Sequence, residues 1–268
     1  MPGLSGPAKR GYRAAPKYRD LKRRTRDDYE KHLPYFEDKL GHLTPRQIER
    51  HHVIRWRDAW AKHKSAHFAN YCLRVLSIVM EHAKDMGLLT KSEENPAKGI
   101  KALKYEKNER EPWPDTLVAA FRKACAYGSR ERTLFEMCLG TGQRIGDVLR
   151  MQWGHVRGDT ILVIQGKTGT RLEIPLTRHL SAALEATERQ SLFILTKDMS
   201  KTKRPGQWEY RGASDAMRAA RAAIGAQDYD LHGLRYTAAV ELLLADCSDD
   251  LISAVTGQKR RSCSERCS

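Results

Sequence analysis

The chain has 268 residues, 40% of them hydrophobic and 30% charged, enough for one large or two modest domains, each with its own core. Its net charge of +15 points to a polyanionic partner, since every phosphate neutralised releases condensed counterions, although an anionic membrane surface or plain solubility tolerates the same charge. No apolar run of about 18 residues offers a membrane span, and the opening "MPGLSGPAKRGYRAAPKYRD" lacks the apolar core of a secretory signal, so a cytoplasmic location is expected.

The excess charge lies mainly in the first part of the chain. Residues 1–110 carry 25 Lys/Arg against 14 Asp/Glu, and residues 111–268 carry 23 against 19. Residues 1–23 are basic and rich in Gly, Pro and Arg without periodicity, which predicts a flexible arm. From Thr25 the pattern turns helical, with Tyr29, Leu33, Phe36 and Leu40 on one face and Gly41 as the stop. Thr44-Pro45 reads as an N-cap with proline at the first helical position, followed by a face of Ile48, Trp56 and Trp60. A third helix is expected over about 65–86, with Phe68, Cys72, Val75, Val79, Ala83 and Met86 inward and Gly87 ending it. Residues 24–104 therefore predict a small helical domain with a basic exterior. Arg23, Arg24, Arg26, Lys64 and Arg74 are its candidate phosphate contacts. The charged stretch 105–111 reads as a linker.

In the second domain, 112–268, helices are expected at about 114–126, 130–139, 146–151, 178–187 and 212–224, and from about Asp230 onward. "TILVIQ" and "RLEIPL" alternate as strands around Gly166-Lys167-Thr168-Gly169-Thr170, a hairpin with Lys167 at its tip. The six cysteines show no CxxC pair, four of them lie in apolar helical patterns, and no metal site is suggested.

"CLGTGQRIGDVLRMQW", Cys138 to Trp153, has three glycines within seven residues. A dinucleotide or Walker fingerprint needs a buried strand before its glycines, and Walker A also needs GK[ST] after them. The preceding "RERTLFEMCL" is helical in period and no GK[ST] follows, so a nucleotide loop is disfavoured. "LHGLRYTAA" places His232 and Arg235 at i and i+3, on one face at the start of a helix. Two arginines, a lysine and a histidine suit a phosphodiester transition state. Guanidinium forks stabilise the non-bridging oxygens, a lysine can protonate a leaving oxygen, and an imidazole can exchange a proton.

This ordered set resembles the tyrosine recombinases, the phage-integrase type of site-specific recombinase, over roughly residues 24–259. "TGQRIGDVLRMQW" is similar to the family's first box, giving Arg144 as catalytic and Asp147 as supporting Arg144 or its helix. "GKTG" resembles the lysine turn and gives Lys167; "LHGLRYTAA" resembles the HxxR box and gives His232 and Arg235. "VTGQK" resembles the later GH box, with Gln258 where His or Trp is usual. The resemblance implies a mostly α fold in two domains. These are an N-terminal SAM-like helical core-binding domain and an α+β catalytic domain with a small β-hairpin sheet. It implies double-stranded DNA with inverted repeats as partner, a dimer on each site, a tetramer in the synapse, and a 3′-phosphotyrosyl intermediate needing neither metal nor cofactor.

The family's tyrosine nucleophile falls nine residues after the GH-box histidine, and here that position holds Cys267. Two readings of "RRSCSERCS" stand. One is a single Tyr-to-Cys change, since Glu265-Arg266-Cys267-Ser268 resembles an "ERYS" ending. The other is a truncated or out-of-frame tail, since no apolar residues suit a packed helix there. Either leads to an impaired recombinase, or alternatively to a non-catalytic DNA-binding remnant or modulator of active recombinases.

Overall fold

The structure, a computed structural model, describes residues 9–89, 94–106, 110–197 and 206–256. Its contacts divide the chain into two compact units, Met1–Lys107 and Asn108–Ser268. Most of the described residues are helical, with a small antiparallel sheet in the second unit. None of the helices among them is long and apolar enough to cross a membrane.

The first unit contains α1 (Lys9–Ala14), α2 (Pro16–Arg19), α3 (Arg23–Glu30), α4 (Leu33–Leu40), α5 (Arg50–His63) and α6 (Ala66–Asp85). α6 opens at Ser65, whose hydroxyl accepts from the Phe68 N–H at 3.1 Å. Its Cys72, Val75, Val79 and Ala83 are buried with Leu33, Phe36, Leu40, Val53 and Trp60, as their spacing predicts. Met86, expected inward, follows the last helical residue as its C-cap and stays 60% exposed. The single helix expected from Thr25 to Leu40 is two helices. Pro34 has no N–H to donate and its ring would clash with the Glu30 carbonyl, so α3 stops at Glu30 and α4 restarts at Leu33. Thr44-Pro45 opens only a 3-10 turn, Pro45–Gln47, with the Gln47 amide oxygen accepting from the Thr44 N–H at 2.8 Å; α5 begins later, at Arg50.

The expectation of a flexible arm is corrected for residues 9–19, which form α1 and α2. Tyr12 and Tyr18 are buried in the unit's core and meet edge to face at 5.2 Å. Arg13 pairs with Glu30, and Lys17 with Asp85 at 2.7 Å. Two buried aromatics amid basic residues anchor the segment, a signal that charge and glycine content conceal. At the other end of the unit, the backbone of 98–103 is clipped down by side chains. Arg50 donates to the Lys98 carbonyl at 2.6 Å, Arg57 to that of Lys101 at 2.8 Å, and Asn70 exchanges two bonds of 2.8 Å with Leu103.

The second unit contains α7 (Asp115–Ala124), α8 (Arg130–Thr141), α9 (Ile145–Val148), β1 (Val156–Arg157), β2 (Thr160–Ile164), β3 (Arg171–Pro175), α10 (Arg178–Glu185), α11 (Tyr210–Ala222), α12 (Gly233–Leu244) and α13 (Asp249–Thr256). α8 is its central rod, buried almost all round, with α10, α11 and α12 against it. Phe121 and Phe135 stack at 4.2 Å, and Trp113 meets Phe135 edge-on at 5.4 Å. The strands run in the order β1-β2-β3, and Thr160 to Ile164 pair with Pro175 to Arg171 in antiparallel register. The hairpin falls where alternation predicts it. β1 and α13, for which the sequence offered no clear period, are additions.

The buried first helices carry a test. Tyr12→Ala should lower the unfolding free energy of the first unit by about 3 kcal/mol, read as a lower urea midpoint. Lys17→Ala, which removes only an exposed ion pair, should change it by less than about 1 kcal/mol.

Candidate active site

α8 ends because Gly142 adopts φ 61°, a left-handed value that L side chains avoid. The reversal makes Arg144 the residue immediately before α9. α12 enters the same region from the other side. Asp230 Oδ1 accepts from the Gly233 N–H at 2.8 Å, and the backbone around Glu111 passes so close that a Cβ on Gly233 would meet the Glu111 carbonyl oxygen at 2.6 Å. Trp113 ties the same turn through its indole N–H to the Asp230 carbonyl at 2.9 Å and its backbone N–H to Thr237 Oγ1 at 2.7 Å. The start of α12, carrying His232 and Arg235, is thus fixed on several sides.

Arg235 is 1% exposed, and its Nη1 donates to the Gly142 carbonyl at 3.0 Å. That bond joins the two arginine-bearing segments. Among the described residues, Arg235 Nη2 and Arg144 Nη1 are sealed from solvent and have no hydrogen-bond partner. Burying a guanidinium is costly and a second cation acting on it adds to the cost; Arg235 is fully buried and Arg144 partly so, with Asp147 offsetting part of the repulsion on Arg235. Burial first, then the Arg144 cation, push Arg235 down to about 10, still charged at neutral pH. Burial, followed by Arg110, pushes His232 down to about 4; Asp230 opposes this, and Arg235 and Arg144 add to it. At neutral pH the imidazole is therefore uncharged and can accept a proton. Two inward cations, each with an unused donor, beside a neutral base form a receptor for an anion whose charge grows during reaction.

Lys167 is exposed in the turn between β2 and β3. The turn is held by buried groups. Asp147, 6% exposed, accepts from the Gly166 N–H at 2.9 Å and pairs with Arg150. Asp147, expected to support Arg144 or its helix, pairs with Arg150 beside that helix and also clamps the base of the lysine turn. Gln165, 1% exposed, donates to Gln143 Oε1 at 2.8 Å, and Gln143 donates to the carbonyls of Thr141 at 3.0 Å and Val255 at 2.7 Å. Sequence reasoning passed over both glutamines. The available signal was Gln165 itself, a polar residue at an inward position after Ile161 and Val163.

In the first unit, Arg23, Arg24, Lys64 and Arg74 are exposed and Arg26 is half-buried. Arg24 pairs with Asp28 at 3.3 Å, and the Arg74 guanidinium lies 5.8 Å from the Tyr71 ring centre. Arg24 and Arg74 both act on Tyr71, which brings these two cations to one surface. Gln258 and Cys267 lie outside the described residues.

The profile of the phage integrase family matches residues 115–264, more than half of the chain. The chain belongs to the phage integrase family. Arg144, Lys167, His232 and Arg235 all fall inside that match. Relatives include the integrase of Enterobacteria phage 434, 31% identical over 88 residues, which are 33% of this chain and 25% of that protein. Prophage integrase IntE of Escherichia coli (strain K12) is 46% identical over 46 residues, 17% of this chain and 12% of its own length. The chain thus matches about a quarter or less of the length of these curated relatives. The fold is similar to that of a lambda integrase dimer bound to a COC′ core site. That similarity has a TM-score of 0.78 at 20% identity, over 95% of this chain and 74% of that one. It is also similar to the Tn1549 transposon integrase in complex with circular intermediate DNA, with a TM-score of 0.74 at 13% identity over 97% and 92%. At these identities the likeness is one of fold.

The depressed pKa of His232 makes a signed prediction. Its folded value lies below the ordinary 6.5, so between about 6.5 and 4 the unfolded chain binds more protons, and stability falls as pH drops through that window. His232→Gln should remove this part of the acid destabilisation in thermal melts. The His232 ring should titrate by NMR near pH 4, and Arg144→Met should move that midpoint upward.

Proposed function

We propose that this chain binds double-stranded DNA at inverted-repeat sites through a fold built for strand cleavage and rejoining, and that the chemistry is impaired here because Cys267 stands at the tyrosine position. The observation that carries the reading is the pair of inward guanidinium donors of Arg144 and Arg235 left without partners beside neutral His232.

In this reading Arg144 and Arg235 hold the non-bridging oxygens of the scissile phosphate. A nucleophile attacks phosphorus, the bond to the 5′-oxygen breaks, and Lys167 supplies the proton that the leaving oxygen needs. His232, uncharged, assists by taking the proton from the attacking hydroxyl, and the Gln258 amide donates to a phosphate oxygen without adding charge. The strand is left joined through its 3′-phosphate to the protein, and the 5′-hydroxyl of another strand reverses the step. The ester bond is conserved, so no ATP, metal or cofactor enters.

Arg23, Arg24, Arg26, Lys64 and Arg74 of the first unit serve as phosphate contacts, with that unit acting as the core-binding domain. Related structures support DNA and an oligomer as partners: one is a lambda integrase dimer on a core site and another a lambda integrase tetramer bound to a Holliday junction. On this reading the chain is expected in the cytoplasm, associated with the nucleoid.

Cys267 is a poor substitute nucleophile. Its sulfur sits about 4–5 Å nearer its own backbone than a tyrosine hydroxyl would, and about 1 Å of misplacement can cost 100-fold. The same residue favours a second reading, a DNA-binding protein that occupies sites or dilutes active recombinases without cleaving.

A nicked suicide duplex, carrying an inverted repeat selected by the chain from a random pool, separates these readings. The chain as it stands should give no covalent band and Cys267→Tyr should give one. Adding Arg235→Ala to Cys267→Tyr should cut the yield rate by about 10²–10³. A band from the unaltered chain that disappears in Cys267→Ala would show the cysteine to be a nucleophile. Binding without cleavage by Cys267→Tyr supports the second reading.

Affinity should fall by about 10³ or more between 50 and 200 mM salt, and Arg24→Ala and Arg74→Ala should each reduce the salt slope by about one.

A further inference from the structure

We propose that Gln143 and Gln165 are positioning residues: a buried amide relay sets the turn carrying Lys167 against the segment carrying Arg144 and ties both to the end of α13. The proposal rests on Lys167 acting as the general acid described above.

The relay is continuous. Thr170 Oγ1 donates to Thr168 Oγ1 at 2.9 Å, Thr168 Oγ1 donates to Gln165 Oε1 at 2.9 Å, and Gln165 Nε2 donates to Gln143 Oε1 at 2.8 Å. Gln143 Nε2 then donates to the Thr141 and Val255 carbonyls. Both glutamines are 1% exposed, so water does not compete for these bonds.

The orientation of each amide is determined. Gln143 faces two backbone carbonyls, which accept only, so its NH2 must point at them and its oxygen at Gln165. Gln165 must then turn its NH2 toward Gln143, leaving its oxygen to receive the Thr168 hydroxyl. Turning either amide over sets oxygen against oxygen, and the network holds one arrangement. Thr168 follows Lys167, and Gly166, clamped by Asp147, precedes it. Lys167 is therefore held on both sides by groups anchored next to Arg144. A hairpin of two five-residue strands would not by itself hold a tip lysine in register with an arginine on another element.

The relay also explains why Gln165 is polar at an inward position where Ile161 and Val163 set an apolar pattern. Through Val255 it reaches α13, two residues before Gly257-Gln258. The acid, the phosphate-binding arginine and the approach to the GH-like box then share one set of bonds.

Two measurements test this. In the unaltered chain, hydrogen exchange is followed at the amides of Gly166 and Gly169, which bond to Asp147 and to the Gln165 carbonyl. Gln143→Met, 26 residues before Gly169, should speed exchange there about tenfold or more while interior α8 amides keep their rates. Gln165→Glu should be worse than Gln165→Met, since a carboxylate faces a Gln143 oxygen that cannot turn away. Unchanged turn amides in Gln143→Met, or Glu tolerated better than Met at 165, would overturn the relay.

The second measurement uses suicide duplexes in the Cys267→Tyr background, with either an ordinary phosphodiester or a 5′-bridging phosphorothiolate at the scissile position. A thiolate leaves without a proton, so it bypasses the general acid. Gln143→Met and Gln165→Met should cleave the ordinary ester about 10–100-fold more slowly and the sulfur ester within a few-fold of the parent. An equal deficit on both substrates overturns the positioning role. Lys167→Ala separates the two proposals: if sulfur does not rescue it, the general-acid reading fails. If sulfur rescues Lys167→Ala but not the glutamine variants, the relay fails as a positioning device. If Cys267→Tyr cleaves neither duplex, the cleavage reading fails and the exchange rates alone decide the relay.

Discussion

Arg144 and Arg235 act on one another as like charges inside the second unit, each with a guanidinium nitrogen that has no partner among the described residues, and much of the surrounding structure serves to keep them there. Their mutual repulsion would separate them on a compliant scaffold. The Gly142 carbonyl holds one guanidinium, the left-handed turn at Gly142 aims the segment bearing the other, and Trp113 and Asp230 fix the start of α12. The rigidity comes from α8, buried along nearly its whole length and braced by the Phe121–Phe135 stack. A phosphate entering between the arginines would relieve the repulsion that the fold tolerates in its absence. His232 is kept uncharged chiefly by its burial and then by Arg110, with Arg235 and Arg144 adding to the effect.

The contrast within the same unit is informative. Arg122 and Arg132 also lie close together, but Glu136 stands between them. Its carboxylate, 1% exposed, accepts from Arg122 at 2.9 and 3.0 Å and from Arg132 at 2.8 Å. Arg132 spends its remaining donors on the Arg122 and Cys125 carbonyls at 2.7 and 2.9 Å. That group is closed and structural, and it fastens α7 to α8. The motif "TGQRIG" already sets Arg144 apart in the sequence, whereas the partners that close the Arg122 group in "FRKAC" are legible only in space.

Elements with strong periodicity were legible before any coordinates: α6 from its Ser65 cap to Gly87, and the hairpin from its alternation. Arg144, Lys167, His232 and Arg235 stand out in the sequence by their chemistry in combination, and the structure puts Arg144 just before α9, Lys167 in the hairpin turn, and His232 and Arg235 at the start of α12. The misreadings have local causes. Pro34 splits an otherwise regular stripe, because periodicity records which face is apolar and not whether the backbone can continue. Tyr12 and Tyr18 are hidden in a basic segment, and two aromatics are too few to establish a period. For Asp147, spacing does not encode that its carboxylate also reaches across to Gly166, a tertiary contact added to its pairing with Arg150. Gln165 carries a signal of its own, a polar residue at an inward strand position, but its partner Gln143 is revealed only when the hairpin and the segment before α9 lie side by side.

The stretch from Arg110 to Trp113 has a mechanical consequence. Arg110 pairs with Asp230 at 2.9 Å, the Glu111 carbonyl lies against Gly233, and Trp113 holds the Asp230 carbonyl and Thr237. These grips flank the start of the helix that bears Arg235, while the Trp113 ring also packs on Phe121 and Phe135. The segment entering the second unit is therefore fastened at once to the aromatic core and to the approach to α12, and a pull on it would be shared between the two.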